Sequence, residues 1–342
     1  MGVRSITYGG GLSADTNRGP SEAIWGSCPV EELIQDPRLG QYFFDDFAGT
    51  FPGFLTVNTE DVAGQWTGFT SNNAACKVGT SADTTNLPLE GGVLGLTAGS
   101  NNNLTITLAA NQSSFRLVSP ASGFPTGQKL WFETSIAVSA VASGNFDLFV
   151  GLMDTGDGGT RITSAADLVF SAANTIKTAA SMGGCIGFWK RATSNPADVA
   201  IVHNVNNGTA QVLGASGNIQ KLSTNYGPGA MAALSVTNGA PKAIGDSSGA
   251  CFLKLGFVFD PMAYPKAVAT ALTGQTAGQV VKPLVTFYVN GKPIPVFYDF
   301  NVVQASTFPS TWMAPVIGFR SGGSGAGVAY VDFVRCAQVA NS

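Results

Sequence analysis

Alternation of apolar and polar positions is clearest in the second half of this 342-residue chain. Leu284–Val289 runs through β-branched and aromatic residues to Asn290-Gly291, and the chain then returns through Ile294–Tyr298. Asn-Gly suits the two positive-φ positions of a type I′ turn, so this stretch predicts a β-hairpin. Upstream, Leu253–Phe259 predicts a further strand, and Leu130–Val138 and Phe146–Leu152 are the strongest strand patterns of the first half. Weaker strands are predicted over 43–47, 93–97, 104–108, 114–118, 185–189, 199–202, 231–236, 314–320 and 328–335. Helical periodicity is confined to brief runs at Ser164–Val169 and Lys266–Leu272. Many short strands separated by turn residues predict an all-β sandwich or jelly roll.

Residues 1–40 break this pattern. They contain Gly9-Gly10-Gly11 and one helical candidate, Cys28–Ile34, with Pro29, Glu31 and Glu32 placed as a first helical turn favours. Asp36-Pro37 ends it, because a residue before proline is pushed out of helical geometry. The segment therefore predicts an extended N-terminal arm, 1–40, ahead of one large sandwich, 41–342. Exposed aromatic and aliphatic side chains favour a partner, so Tyr8, Ile24, Trp25 and Leu33 are expected to dock the arm on something.

Composition narrows the function. Hydrophobic residues make up 44% of the chain and charged residues only 11%, against about a quarter in ordinary domains. With a net charge of −3 and no basic cluster longer than Lys190-Arg191, direct nucleic-acid binding is not expected. So neutral a surface suits a protein partly covered in an assembly, which predicts a homo-oligomer. The five cysteines include no Cys-x-x-Cys pair, and free thiols in a reducing cytoplasm are expected. Cys185 and Cys251 read as small buried hydrophobes. The N-terminus lacks a secretory pattern, and no apolar run approaches the ~20 residues of a membrane helix.

The order of strands then carries a resemblance. Leu130–Ile136 followed by Phe146–Asp154, and Leu253–Asp260 followed by Val285–Pro295, resemble concanavalin A-like, laminin-G-type sandwiches. In such folds a closing strand like Tyr330–Arg335 returns beside the first, here Phe43–Phe47. The opening Val3–Gly11 leading into Tyr42–Phe47 is similar to tailed-phage virion structural proteins of the capsid-decoration type. That second resemblance implies a non-enzymatic cement protein in the virion, made in the host cytoplasm, whose partner is the major capsid protein and whose arm is the anchor. The alternative is a carbohydrate-binding virion module that reads host surface glycans, and a glycoside hydrolase comes third.

Candidate chemistry is sparse. The one histidine, His203, rules out zinc sites with several His ligands, and its strand-end position predicts a surface side chain. Glycoside hydrolysis needs two carboxylates flanking the bond; no Glu-x-Asp-x-Glu strand occurs, and Glu133 and Asp147 stand singly on neighbouring predicted strands. Asp154-Thr-Gly-Asp157 has the composition of a calcium loop without its third acid or closing Glu. The laminin-G-type resemblance implies calcium there, at Asp154 and Asp157; no other cofactor is expected. Trp131 and Trp189 lie within strand runs and read as core, whereas Trp66 and Trp312 lie beside loop residues and are the candidate glycan-stacking platforms.

Overall fold

The computed structural model describes residues 19–47, 60–63, 65–70, 75–78, 94–97, 105–110, 115–118, 127–138, 146–154, 169–172, 175–176, 184–190, 199–204, 211–212, 253–267, 278–299, 303, 308–321 and 328–340. Two short helices come first, α1 (Glu22–Trp25) and α2 (Val30–Gln35). The strands then run β1 (Gly40–Asp45), β2 (Glu60–Ala63), β3 (Trp66–Thr70), β4 (Ala75–Val78), β5 (Leu94–Thr97), β6 (Thr105–Ala110) and β7 (Leu130–Val138). After these come β8 (Phe146–Met153), β9 (Phe170–Ala172), β10 (Thr175–Ile176), β11 (Cys185–Lys190), β12 (Val199–Asn204) and β13 (Gln211–Val212). The last group is β14 (Leu253–Phe259), β15 (Lys266–Ala267), β16 (Val280–Val281), β17 (Pro283–Val289), β18 (Lys292–Asp299), β19 (Ala314–Ser321) and β20 (Val328–Val339).

Sixteen of these strands form two antiparallel eight-stranded sheets, and β9-β10 and β15-β16 form two-stranded ones. The first runs β18-β17-β14-β7-β20-β5-β4, with β1 also on β20. The second runs β13-β12-β11-β8-β19-β6-β3-β2. The long β20 accommodates two partners on one edge, pairing Val328–Val331 with β5 and Val334–Val339 with β1. The closing strand thus lies beside the first, as the strand order predicts.

The expected hairpin is present: Asn290 has φ 49° and Gly291 φ 72°, the positive values that a type I′ turn requires. Asn290 also ties the turn to β14, accepting from the Lys254 N–H at 3.0 Å and donating its own N–H to the Lys254 carbonyl at 2.8 Å. Along β14, Leu255, Phe257 and Phe259 face inward while Lys254, Gly256 and Val258 face out, the period of two expected for a strand. Between the sheets, Phe188 meets Phe257 at 6.5 Å and Phe287 at 6.1 Å, and Phe132 stacks on Phe257 at 5.1 Å. Such ring pairs add about 0.5–1.5 kcal/mol each beyond the area they bury.

Several local expectations change. Over the described residues 115–118 there is no strand, only isolated bridges at Phe115, which pairs with Met313, and at Val118, although Phe115, Leu117 and Val118 are buried. Lys266–Ala267 is a strand paired with β16 rather than the start of a helix. Residues 231–236 and Cys251 lie outside the described residues, while Cys185 is buried as expected.

Both sheets are covered on their outer faces as well. On the second sheet, Phe149, Trp189, Met153 and Val202 pack with Val169 and Phe170. There Asp147 accepts from the Trp189 indole at 3.2 Å and from Arg320 at 3.5 Å. On the first sheet the cover is the N-terminal segment itself.

Candidate functional site

Ile24, Trp25 and Leu33 form one buried cluster with Trp131, Val258 and Ala337, the outward-facing residues of β7, β14 and β20. At its centre lies Glu133, fully buried on β7. Its carboxylate accepts three hydrogen bonds from the arm. The Ser21 N–H and the Trp25 indole N–H each donate to Oε2 at 2.8 Å, and the Ser21 hydroxyl donates to Oε1. Burial pushes the Glu133 pKa up, while the Ser21 bonds, the Lys254 charge and the Trp25 bond work against that rise. Lys254 donates to the Gly19 carbonyl at 3.1 Å, and the Arg335 guanidinium lies 4.1 Å over the Trp25 ring. Buried polar groups that are bonded this fully fix a unique geometry. Here they fix where α1 sits.

Beside α1 the surface opens into a cleft of about 520 Å³. Ala23, Ile24 and Ser27 form one wall, and Val258, Thr286 and Tyr288 of β14 and β17 form the floor. The opposite wall is the turn after β14, Asp260–Pro265, with Lys129 and Lys266 at the rim. Local bonds shape that turn. The Met262 N–H donates to the Asp260 carboxylate at 2.9 Å, the Ala263 N–H to the Asp260 carbonyl at 3.1 Å, and Lys282 to the Pro261 carbonyl at 2.5 Å. Asp260 also pairs with Lys129 at 3.0 Å. The turn holds Tyr264 out at 87% exposure, next to the half-buried Tyr288. Burial first, and then the Asp260 charge, push the Tyr288 pKa up, so its hydroxyl stays neutral and can donate or accept. The combination is an exposed aromatic ring, a phenol, two aliphatic hydroxyls and one ion pair around a concave floor. It can stack a flat apolar face and hydrogen-bond several hydroxyls at once.

The residues singled out from sequence are dispersed. Ile24, Trp25 and Leu33, expected to anchor the arm on a capsid, are buried at 1%, 6% and 3% exposure against the chain's own sheet. They are not presented to a neighbouring subunit, because the outer face of the first sheet is apolar and needs this cover. Tyr8 lies outside the described residues. Trp66 is no glycan platform: it is fully buried, stacked on Phe47 at 5.9 Å, and its indole donates to Asp45 at 2.6 Å. Trp312 is exposed at 41%, with Arg116 4.2 Å from its ring. It lies apart from the cleft. Asp154 follows β8, half-buried, with its N–H on the Gly184 carbonyl at 2.9 Å; Asp157 lies outside the described residues. Glu133 and Asp147 occupy opposite outer faces of the sandwich and make no pair. His203, expected at the surface, is buried. Sequence reasoning missed the cleft, although Pro261-Met-Ala-Tyr-Pro265 carried one usable signal, an aromatic residue inside a proline-bounded turn.

Among the described residues no three His, Cys, Asp or Glu side chains converge to hold a metal ion, and no helix is long and apolar enough to cross a membrane.

No protein-family model and no curated protein matches the chain. Solved structures do align with it. An endo-1,3-beta-glucanase from Streptomyces sioyaensis aligns at TM-score 0.41 and 14% identity, over 87% of this chain and 96% of that one. A glycoside hydrolase family 16 endo-glucanase from Bacteroides ovatus aligns at TM-score 0.39 and 13% identity, over 86% and 99%. The carbohydrate recognition domain of Emp47p aligns at TM-score 0.36 and 11% identity, over 82% and 91%. The described strands form an all-β sandwich of two antiparallel sheets. Two of these neighbours are glycoside hydrolases, so the exclusion of enzymatic activity drawn from the sequence does not stand. None of the three is a virion protein.

Proposed function

We propose that this protein binds carbohydrate, and that the glycan lies in the cleft between α1 and the Asp260–Pro265 turn. The observation that carries this reading is the exposure of Tyr264 at the mouth of a concave site floored by Thr286 and Tyr288. A tyrosine held 87% exposed by a fixed turn leaves its ring free of packing against the described residues, and its ring face suits the apolar face of a pyranose. Ser27, Thr286, Tyr288 and the Asp260–Lys129 pair supply the donors and acceptors that sugar hydroxyls require. The cleft volume lies within the range of small-ligand sites, about 300–1,000 Å³. Attachment to a capsid through Ile24, Trp25 and Leu33 is not the reading favoured, because those side chains are already buried within the chain.

Affinity electrophoresis in gels containing laminarin, mannan, xylan or hyaluronan tests the proposal. The wild-type protein should be retarded by at least one of them. Tyr264→Ala should weaken that retardation by tenfold or more, about 1.4 kcal/mol, with an unchanged melting temperature. Migration unaffected by every polysaccharide, or retardation of Tyr264→Ala equal to wild type, would refute it.

A further inference from the structure

We propose that Glu133 is a positioning residue for the cleft: it latches residues 21–25 onto the first sheet and so builds one wall of the binding site from the N-terminal segment. The ligand this wall serves rests on the carbohydrate reading above; the latch itself rests on geometry alone.

Three observations converge. Glu133 is fully buried on an outward-facing position, where a carboxylate is costly unless its oxygens are bonded. Its donors among the described residues are the Ser21 N–H, the Ser21 hydroxyl and the Trp25 indole, all of them arm groups. α1, which begins immediately after Ser21, contributes Ala23 and Ile24 to the cleft wall, and Ser27 follows just beyond its end. The sheet is also shaped for this contact. A Cβ on Gly256, the β14 neighbour of Glu133, would come within 2.6 Å of the Ile24 side chain and 2.7 Å of the Phe132 carbonyl. A side chain at 256 would push the Ile24 tip aside and press on the β7 backbone at Phe132. Truncating the latch would therefore leave the sandwich core intact and remove one side of the site.

Cys28 provides a ligand-free reporter. Its thiol, held between α1 and α2, is pushed up to about 12 by burial, so a docked arm keeps it unreactive and a released arm returns it to an ordinary thiol. Glu133→Gln and Trp25→Phe are made singly and together; Trp25→Phe keeps an aromatic ring at this position and removes the indole donor along with part of the ring area. Iodoacetamide labelling at Cys28, followed by peptide mass, should accelerate at least tenfold in each single variant. The double variant should be no faster than the faster single one, because both remove the same latch. Affinity for the polysaccharide that retards wild type should fall at least fivefold in each, whereas Tyr264→Ala should lose affinity with Cys28 labelling unchanged.

Unchanged labelling in both single variants overturns the latch, as does strict additivity in the double variant. Faster labelling with undiminished affinity overturns the wall. If wild type binds no polysaccharide, the carbohydrate reading fails, and the labelling cycle still decides whether Glu133 positions α1.

Discussion

His203 shows how much one side chain can depend on the layer behind it. Its ring lies between Tyr298 at 4.7 Å and Phe308 at 5.5 Å. The residue is 6% exposed, and its Nδ1 has no hydrogen-bond partner among the described residues. Burial holds its pKa down at about 4, against 6.5 for an ordinary histidine. The folded protein therefore keeps His203 neutral over a range in which the unfolded chain takes up a proton. Stability from this group is fully present above pH 6.5 and is lost as the pH falls from 6.5 towards 4. Between pH 7.5 and 4.5 the loss should be roughly 2–3 kcal/mol. Urea unfolding at both pH values should show that much more acid sensitivity in wild type than in His203→Leu; equal sensitivity would contradict it. The burial had a sequence signal. Ile201 and His203 share one face of β12, and Ile201 is core. The strand-end position argued the other way, and it was the weaker guide because Tyr298 of β18 and Phe308 close over the ring. Trp66 is a second such residue. The loop-like sequence around it hides a buried ring whose indole is satisfied by Asp45, a carboxylate distant in sequence.

At the scale of elements, legibility follows burial. β7, β8, β14 and the β17–β18 hairpin were readable because their inward positions carry Leu, Phe, Val and Ile at a period of two, and Asn290-Gly291 fixed the turn. β2 and β4 were not readable: each is an edge strand of its sheet, with a pairing partner on one side only, so its side chains are less constrained. Phe115, Leu117 and Val118 misled in the opposite sense, since apolar residues mark burial and not pairing. The docking of α1 could not be read locally, because its determinant, Glu133, lies 112 residues from Ser21. Gly256 gives a test at this scale. Gly256→Val should crowd the Ile24 side chain and the β7 backbone at Phe132, and so accelerate Cys28 labelling. Labelling equal to wild type would show that α1 does not depend on this close approach.

At the scale of the whole molecule, a chain with only 11% charged residues hides apolar surface on the outer faces of both sheets as well as between them. The sequence suggested that an assembly would provide such cover; among the described residues the N-terminal segment provides it for the first sheet. Deleting residues 1–39 should expose Trp131, Val258 and Ala337. It should cost several kcal/mol, at about 1.5–3 kcal/mol for each large side chain such as Ile24, Trp25 and Leu33 removed from its buried site. Differential scanning calorimetry should show a melting temperature lower by several degrees, with increased binding of a hydrophobic dye; an unchanged melting temperature would mean the arm is not part of the folded unit. The central claim, that the ligand surface lies on this arm-covered sheet, is tested most directly by mapping amide chemical shifts while a binding polysaccharide is titrated. The perturbed amides should cluster at Ala23–Ser27, Asp260–Lys266 and Thr286–Tyr288. Perturbation confined to Arg116 and Trp312, or to the face bearing Asp147 and Trp189, would contradict it.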